Sequence, residues 1–217
     1  MIRVRLHYSK GESLKYTGHL DLHRVWERSI RRAGLPLAYS QGFHPQPRIQ
    51  QACPLPLGFT SVSEIIDLWL TNDLPLDDIQ NSLLAAMHPG IEINRIYLVP
   101  LSDPPLQTIV SASDYLAVFI KGNMRVNFEA QILDMLSMTE ILRERRGKPY
   151  DLRKLVQQLK LISTPEAGIF MCLSALPGAT GRPEEVLDYL GVELNTVHIT
   201  RTGLVFSDQI ESDAMSI

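Results

Sequence analysis

The chain has 217 residues, 45% of them hydrophobic and 21% charged, with a formal net charge of −3. That is the composition of an ordinary globular protein with a sizeable core. No apolar run reaches the roughly 18 residues that span a bilayer, and the N-terminal MIRVRLHYSKGE alternates in polarity instead of carrying the apolar block of a signal peptide, so a cytoplasmic location with no membrane partner is expected.

Ile2 to Tyr8 alternates apolar and polar residues and predicts a half-buried strand with Ile2, Val4, Leu6 and Tyr8 on one side. A helix is expected from His19, capped by Thr17 or Gly18, with Asp21 in its first turn. Leu22, Val25, Trp26, Ser29, Ile30 and Ala33 fall on its buried stripe, and Gly34 and Pro36 end it. Leu37–Ser40 reads as a short strand, followed by a long connection over 41–63 in which Arg48–Ala52 is a further strand candidate. Ser63–Leu70, Leu76–Met87 and Ile91–Val99 then read as strand, helix and strand. The order over residues 1–100 is β-α-β-β-α-β, the ferredoxin-like arrangement.

A Pro-rich stretch marks a linker, taken as 101–111. Beyond it come a strand at Tyr115–Ile120, a helix at Asn127–Met138, an extended Glu140–Arg145, a buried strand at Gly168–Ala175, a helix at Arg182–Leu190 opened by Pro183, and a strand or hairpin at Val197–Phe206. This repeats the order loosely, with Asp151–Leu161 as an inserted strand or helix. The expected fold is therefore α+β, two tandem ferredoxin-like (βαββαβ) domains with antiparallel sheets over 1–100 and 112–206, followed by a flexible tail at 207–217.

Charge is divided unevenly along the chain. Residues 1–60 carry nine Lys/Arg against three Asp/Glu, and residues 61–217 carry twelve against twenty-one. A basic N-terminal face on an acidic body suits an anionic partner, although a solvated helix surface has the same composition. Arg24, Arg28, Arg31 and Arg32 share one helix face, where guanidinium forks could track a phosphate backbone. The segment SQGFHPQPRI follows. Gly42 permits a backbone conformation closed to other residues, Phe43 and His44 are planar groups able to stack on a base, and Ser40, Gln41 and Arg48 can reach base edges or phosphate. A rigid loop that closes the sheet is the alternative. RERRGK, within Arg143–Lys160, reads as a basic hairpin tip.

Other chemistry is not supported. His19 and His23 stand at i, i+4, but no HExxH pattern accompanies them, and no metal is expected. Cys53 and Cys172 lie in no ligand-type spacing, which disfavours a disulfide framework, a zinc ribbon or a Cys-ligated iron–sulfur cluster and leaves two buried, reduced thiols. There is no GxxxxGK[ST], GxGxxG or GxSxG, and no cofactor is expected.

The stretch HLDLHRVWERSIRRAGLPLAYSQGFHPQPRI, followed by PLPLGFTSVSEIIDLWL, resembles the radical-SAM-linked protein family. The matching positions include His19, Asp21, Arg31, Arg32, Ser40, Gly42, Phe43, His44, Pro45, Pro47, Arg48, Gly58, Ser61 and Glu64, beside Tyr16. At His44 the family often has Asn. The resemblance implies a companion of a radical SAM protein, fused to it or beside it. The chain itself lacks the CxxxCxxC that would hold the cluster. Three functions follow as expectations. The first is an accessory module that binds tRNA or rRNA and has no catalytic activity of its own. The second is a metal-independent endoribonuclease using Tyr16, His19, His44 and Arg48. The third is a protein-docking domain for the radical SAM subunit.

Overall fold

Alternation determines the first strand. In β1 (Ile2–Lys10) Val4, Leu6 and Tyr8 enter an apolar core on one face, which leaves Arg3, Arg5 and His7 to the other. In α1 (His19–Arg32) Leu22, Trp26 and Ile30 meet that core, and the Trp26 indole stands edge-on to the Tyr8 ring at 4.9 Å. Gly18 is the N-cap, and the helix ends through Ala33 into Gly34, whose φ of +70° suits a residue without a Cβ. The computed structural model describes residues 1–120, 128–163 and 167–207. Asn127 and the tail from residue 208 lie outside the described residues.

The strand predicted at Leu37–Ser40 does not form as a separate element. Leu37 bridges to Leu70, and the Ala38 amide donates to the Trp69 carbonyl. The chain then leaves the sheet and returns at Arg48, whose carbonyl accepts from the Trp69 amide. From there β2 (Ile49–Gln51) continues along the same edge of β3 (Thr60–Leu70), with Ile49 opposite Leu68. The two candidate strands are thus halves of one edge strand interrupted by a loop. Together they satisfy backbone groups of the largely buried β3.

α2 (Leu76–Ala86) buries Ile79 and Leu83 in the same core, and β4 (Ile91–Val99) pairs with β1. The strand order is β4-β1-β3-β2, antiparallel throughout. The stretch expected as a linker carries a helical turn, α3 (Leu106–Ile109), with Leu106 fully buried. It is tied down by Arg3, which donates to the carbonyls of Asp103 and Pro104, and by Gln50, whose Oε1 accepts the Leu106 amide at 3.0 Å. Accordingly the first compact unit runs from Met1 to Ile109 and the second begins at Val110.

The second unit opens with β5 (Val110–Phe119) and α4 (Phe128–Ser137), which buries Phe128, Ile132 and Met135. Leu136 beside them is half-buried. β6 (Leu142–Arg145) and β7 (Lys148–Asp151) form a separate hairpin turning at Arg146 and Gly147, both at positive φ. Glu140–Arg145 is therefore not the sheet strand of the repeat. That place goes to β8 (Val156–Ile162), which overlaps the segment read as an insertion and ends one residue beyond it. β9 (Gly168–Leu176), the two-residue β10 (Ala179–Thr180), α5 (Pro183–Tyr189) and β11 (Val197–Phe206) complete the unit. β8 and β10 pair with β9, β9 with β5, and β5 with β11, all antiparallel. Both units are mixed α+β with antiparallel sheets. Among the described residues no helix is long and apolar enough to cross a membrane.

Candidate nucleic-acid interface

The arginines of α1 do not behave as one stripe. Arg24 sits 3.0 Å from Asp21 in an exposed one-turn pair, and Arg31 sits 3.7 Å from the half-buried Glu27 in another. Such pairs are worth only about 0.3–0.5 kcal/mol, so a phosphate can displace them. Arg28 is exposed and, among the described residues, has no hydrogen bond or ion pair. Arg32 turns away to donate to the Ala86 carbonyl at the end of α2. Three arginines thus face outward and the fourth ties two helices together. His19 begins the helix and His23 lies one turn on, both half-buried. Among the described residues no three His, Cys, Asp or Glu side chains gather as a metal site would require.

The excursion between the halves of the edge strand is a closed loop. Tyr39 bridges Pro47, the Arg48 amide donates to the Ala38 carbonyl at 2.8 Å, and the Ser40 amide donates to the Gln46 carbonyl at 2.8 Å. The Ser40 hydroxyl accepts the Gln46 amide at 2.9 Å. Gly42 has φ of +129°, and a Cβ there would meet no atom within 4 Å, so its glycine serves backbone conformation and not close packing. Phe43 is fully exposed, and Gln41, His44 and Pro45 are exposed around it. Phe43 therefore does not pack against the sheet.

Tyr16 is exposed and lies against Gly58, whose amide donates to the Lys15 carbonyl at 2.9 Å. Ser61 and Glu64 are buried in β3, opposite Lys10 and Tyr8 on β1. The Ser61 hydroxyl accepts the Ser63 amide. The buried Lys10 ammonium donates to the Phe59 carbonyl at 3.3 Å. Ser61 and Glu64 thus support the chain around 58–64 from inside, while Tyr16 lies against it on the surface. Tyr16, His44 and Arg48 make no hydrogen bond, ion pair or ring contact with one another.

Sequence reasoning missed a polar row on the face of the first sheet turned away from α1 and α2. Asp67, fully buried, accepts from Arg5 Nε at 2.8 Å and from Arg3 Nε at 2.8 Å. Burial by itself would lower the pKa of the Arg5 guanidinium, but the hydrogen bonds and charge of Asp67 outweigh it and hold the group above its ordinary value. Beside them the Trp69 ring carries two guanidinium groups, Arg3 at 5.1 Å and Arg48 at 4.9 Å. His7 contacts Tyr97 Oη at 3.2 Å, and burial, then the charges of Arg95 and Arg5, lower its pKa below the ordinary histidine value. A carboxylate within the apolar run SEIIDLWL and two arginines on an alternating strand were the available signal. In the second unit the RERRGK tip is partly neutralised, since Arg145 pairs with Glu185 and Arg143 with Asp188.

A family model described as an uncharacterized protein conserved in bacteria, DUF2344, matches residues 3–183. The chain belongs to the DUF2344 family. No curated protein matches this DUF2344 chain. Among solved structures it is similar at 10% identity and a TM-score of 0.44 to one described as the structure of an H/ACA RNP bound to a substrate RNA containing 2′-deoxyuridine, over 92% of this chain and 46% of the other. The DUF2344 chain thus spans about half the length of that protein. It is also similar, at 13% identity and a TM-score of 0.28, to the acetolactate synthase small subunit from Thermotoga maritima, over 95% of this chain and 96% of the other.

Proposed function

We propose that this DUF2344 protein is an accessory RNA-binding module, with no catalytic activity of its own, that works beside a radical SAM partner. The observation that carries the RNA reading is the loop over 39–47, which holds a fully exposed Phe43 on a backbone closed by its own hydrogen bonds. An aromatic ring kept in water by an ordered loop is suited to stacking on an unpaired base, at little further entropic cost. The same unit presents the unpartnered Arg28, flanked by Arg24 and Arg31 in weak pairs, as phosphate contacts. The radical SAM partnership rests on the resemblance carried by residues 17–70. The finer fold reading, two ferredoxin-like βαββαβ units in tandem, rests on the strand pairing within each unit, with the β6–β7 hairpin as an insertion in the second. The test is fluorescence anisotropy with tRNA and rRNA fragments across a salt series. Salt-dependent binding weakened by Arg28→Ala/Arg31→Ala and by Phe43→Ala is expected, and absence of binding at low salt refutes the reading.

A protein-docking surface is the second reading. Tyr16, Leu20 and Leu57 are large apolar side chains left exposed in the same unit. Co-purification with a radical SAM subunit that survives nuclease treatment and fails in Tyr16→Ser/Leu57→Ser supports it over RNA binding.

A further inference from the structure

We propose that a cavity of about 380 Å³ in the first unit, lined by Arg48, Gln50, Trp69 and Asp103, binds one nucleoside monophosphate, either free or as the phosphorylated end of an RNA chain. The choice of ligand class rests on the RNA reading above; the geometry of the cavity does not.

Arg48 supplies the anion-binding end. Its guanidinium lies 4.9 Å from the Trp69 ring centroid, and Nη1 donates to the Met1 thioether at 3.4 Å. A thioether is a weak acceptor, and among the described residues no carboxylate pairs with Arg48, so the fork keeps its capacity for an oxyanion. Stacking on the indole orders the side chain before any ligand arrives, which reduces the entropy lost on binding. Behind it, Arg3 and Arg5 share the single carboxylate of Asp67, leaving a buried excess of one positive charge. Arg3 lines the cavity but is committed to Asp67 and to the carbonyls of Asp103 and Pro104. It adds field, and Arg48 makes the contact.

The rest of the lining is polar in a different sense. Gln50 accepts the Leu106 amide through Oε1, which fixes the side-chain amide so that Nε2 is the donor left for a ligand. Asp103 adds an acceptor. A side-chain amide donor and a carboxylate residue in one lining complement a base edge that offers an acceptor next to N–H groups, as guanine does. A phosphate ion alone would leave most of the cavity to water, while a cavity of this size lies within the range of small-molecule sites.

The test titrates the full chain with GMP, guanosine and inorganic phosphate, followed by calorimetry and ligand-observed NMR. GMP binding is expected to exceed that of guanosine and of phosphate by about tenfold or more each. Arg48→Lys keeps the charge and loses the fork. Gln50→Glu keeps the acceptor for Leu106 and replaces the donor. Each is expected to weaken GMP by about tenfold with an unchanged melting temperature. A short 5′-phosphorylated oligoribonucleotide that competes with GMP where its 5′-hydroxyl form does not assigns the site to RNA ends; equal failure of both oligonucleotides assigns it to the free nucleotide. Absence of GMP binding at millimolar concentration, or GMP binding indifferent to both variants, overturns the site. Should RNA binding still depend on Arg28 in that case, the RNA reading survives without it.

Discussion

Asp67 and Arg5 face each other across paired strands, with Arg5 Nε 2.8 Å and Nη2 3.0 Å from the two oxygens of a carboxylate that has no solvent exposure. Arg3 shares the same carboxylate. Removing that charge leaves two buried guanidinium groups uncompensated. Asp67→Asn is expected to destabilise the first unit by about 3–5 kcal/mol, measured by urea unfolding. A loss below about 1 kcal/mol would show that water reaches the pair.

Arg28 and Arg32 separate binding from structure on one helix. Arg28→Ala is expected to weaken RNA binding across sequences and to lower the salt slope by about one, with unfolding unchanged. Arg32→Ala removes the bond to the Ala86 carbonyl. It should cost about 1 kcal/mol of stability and leave the salt slope as it was. Equal slopes for the two variants would remove α1 from the interface.

The loop depends on Gly42 for its backbone and on Ser40 for its closure. At φ of +129° an alanine is strained although nothing crowds its Cβ. Gly42→Ala is expected to cost about 1 kcal/mol or more. The loss should appear as faster hydrogen exchange at the Ser40 and Gln46 amides, which close the loop.

His7 makes stability depend on pH. Its folded pKa lies below the ordinary value because of burial and the charges of Arg95 and Arg5, with Asp67 opposing. The unfolded chain therefore takes up a proton first as pH falls below about 6.5, and stability declines from there until the folded pKa is passed. His7→Gln should flatten that part of the urea-midpoint profile between pH 7 and 5. An unchanged slope would assign the acid sensitivity to other groups.

Cys172 is expected to resist alkylation. Burial, then the nearby Asp114 carboxylate, push its thiol up to about 12, so the thiolate is scarce at pH 8. Iodoacetamide at pH 8 should label it only on unfolding, read by mass spectrometry. Labelling of the native protein as fast as a free thiol would contradict the burial.

How far the sequence reaches is clear from particular elements. Alternation in β1, the 3.6-residue stripe of α1, Gly34 at its end, and the bounds of β4 and β11 all follow from periodicity and punctuation, which are local. The conformational demand on Gly42 was also legible. Pairing was not. Leu37–Ala38 and Ile49–Gln51 share one edge of β3, and β8 displaces Glu140–Arg145 from the second sheet, because each strand's place depends on partners far along the chain. The same holds for the candidate sites. Sequence placed Arg24, Arg28, Arg31 and Arg32 on one face, but only the packing of α1 against α2 turned Arg32 into a structural tie. Nor does any spacing predict that Trp69 stands between Arg3 and Arg48. Side chains 66 and 21 residues apart from it meet there because antiparallel register, a long-range property, sets them in one row.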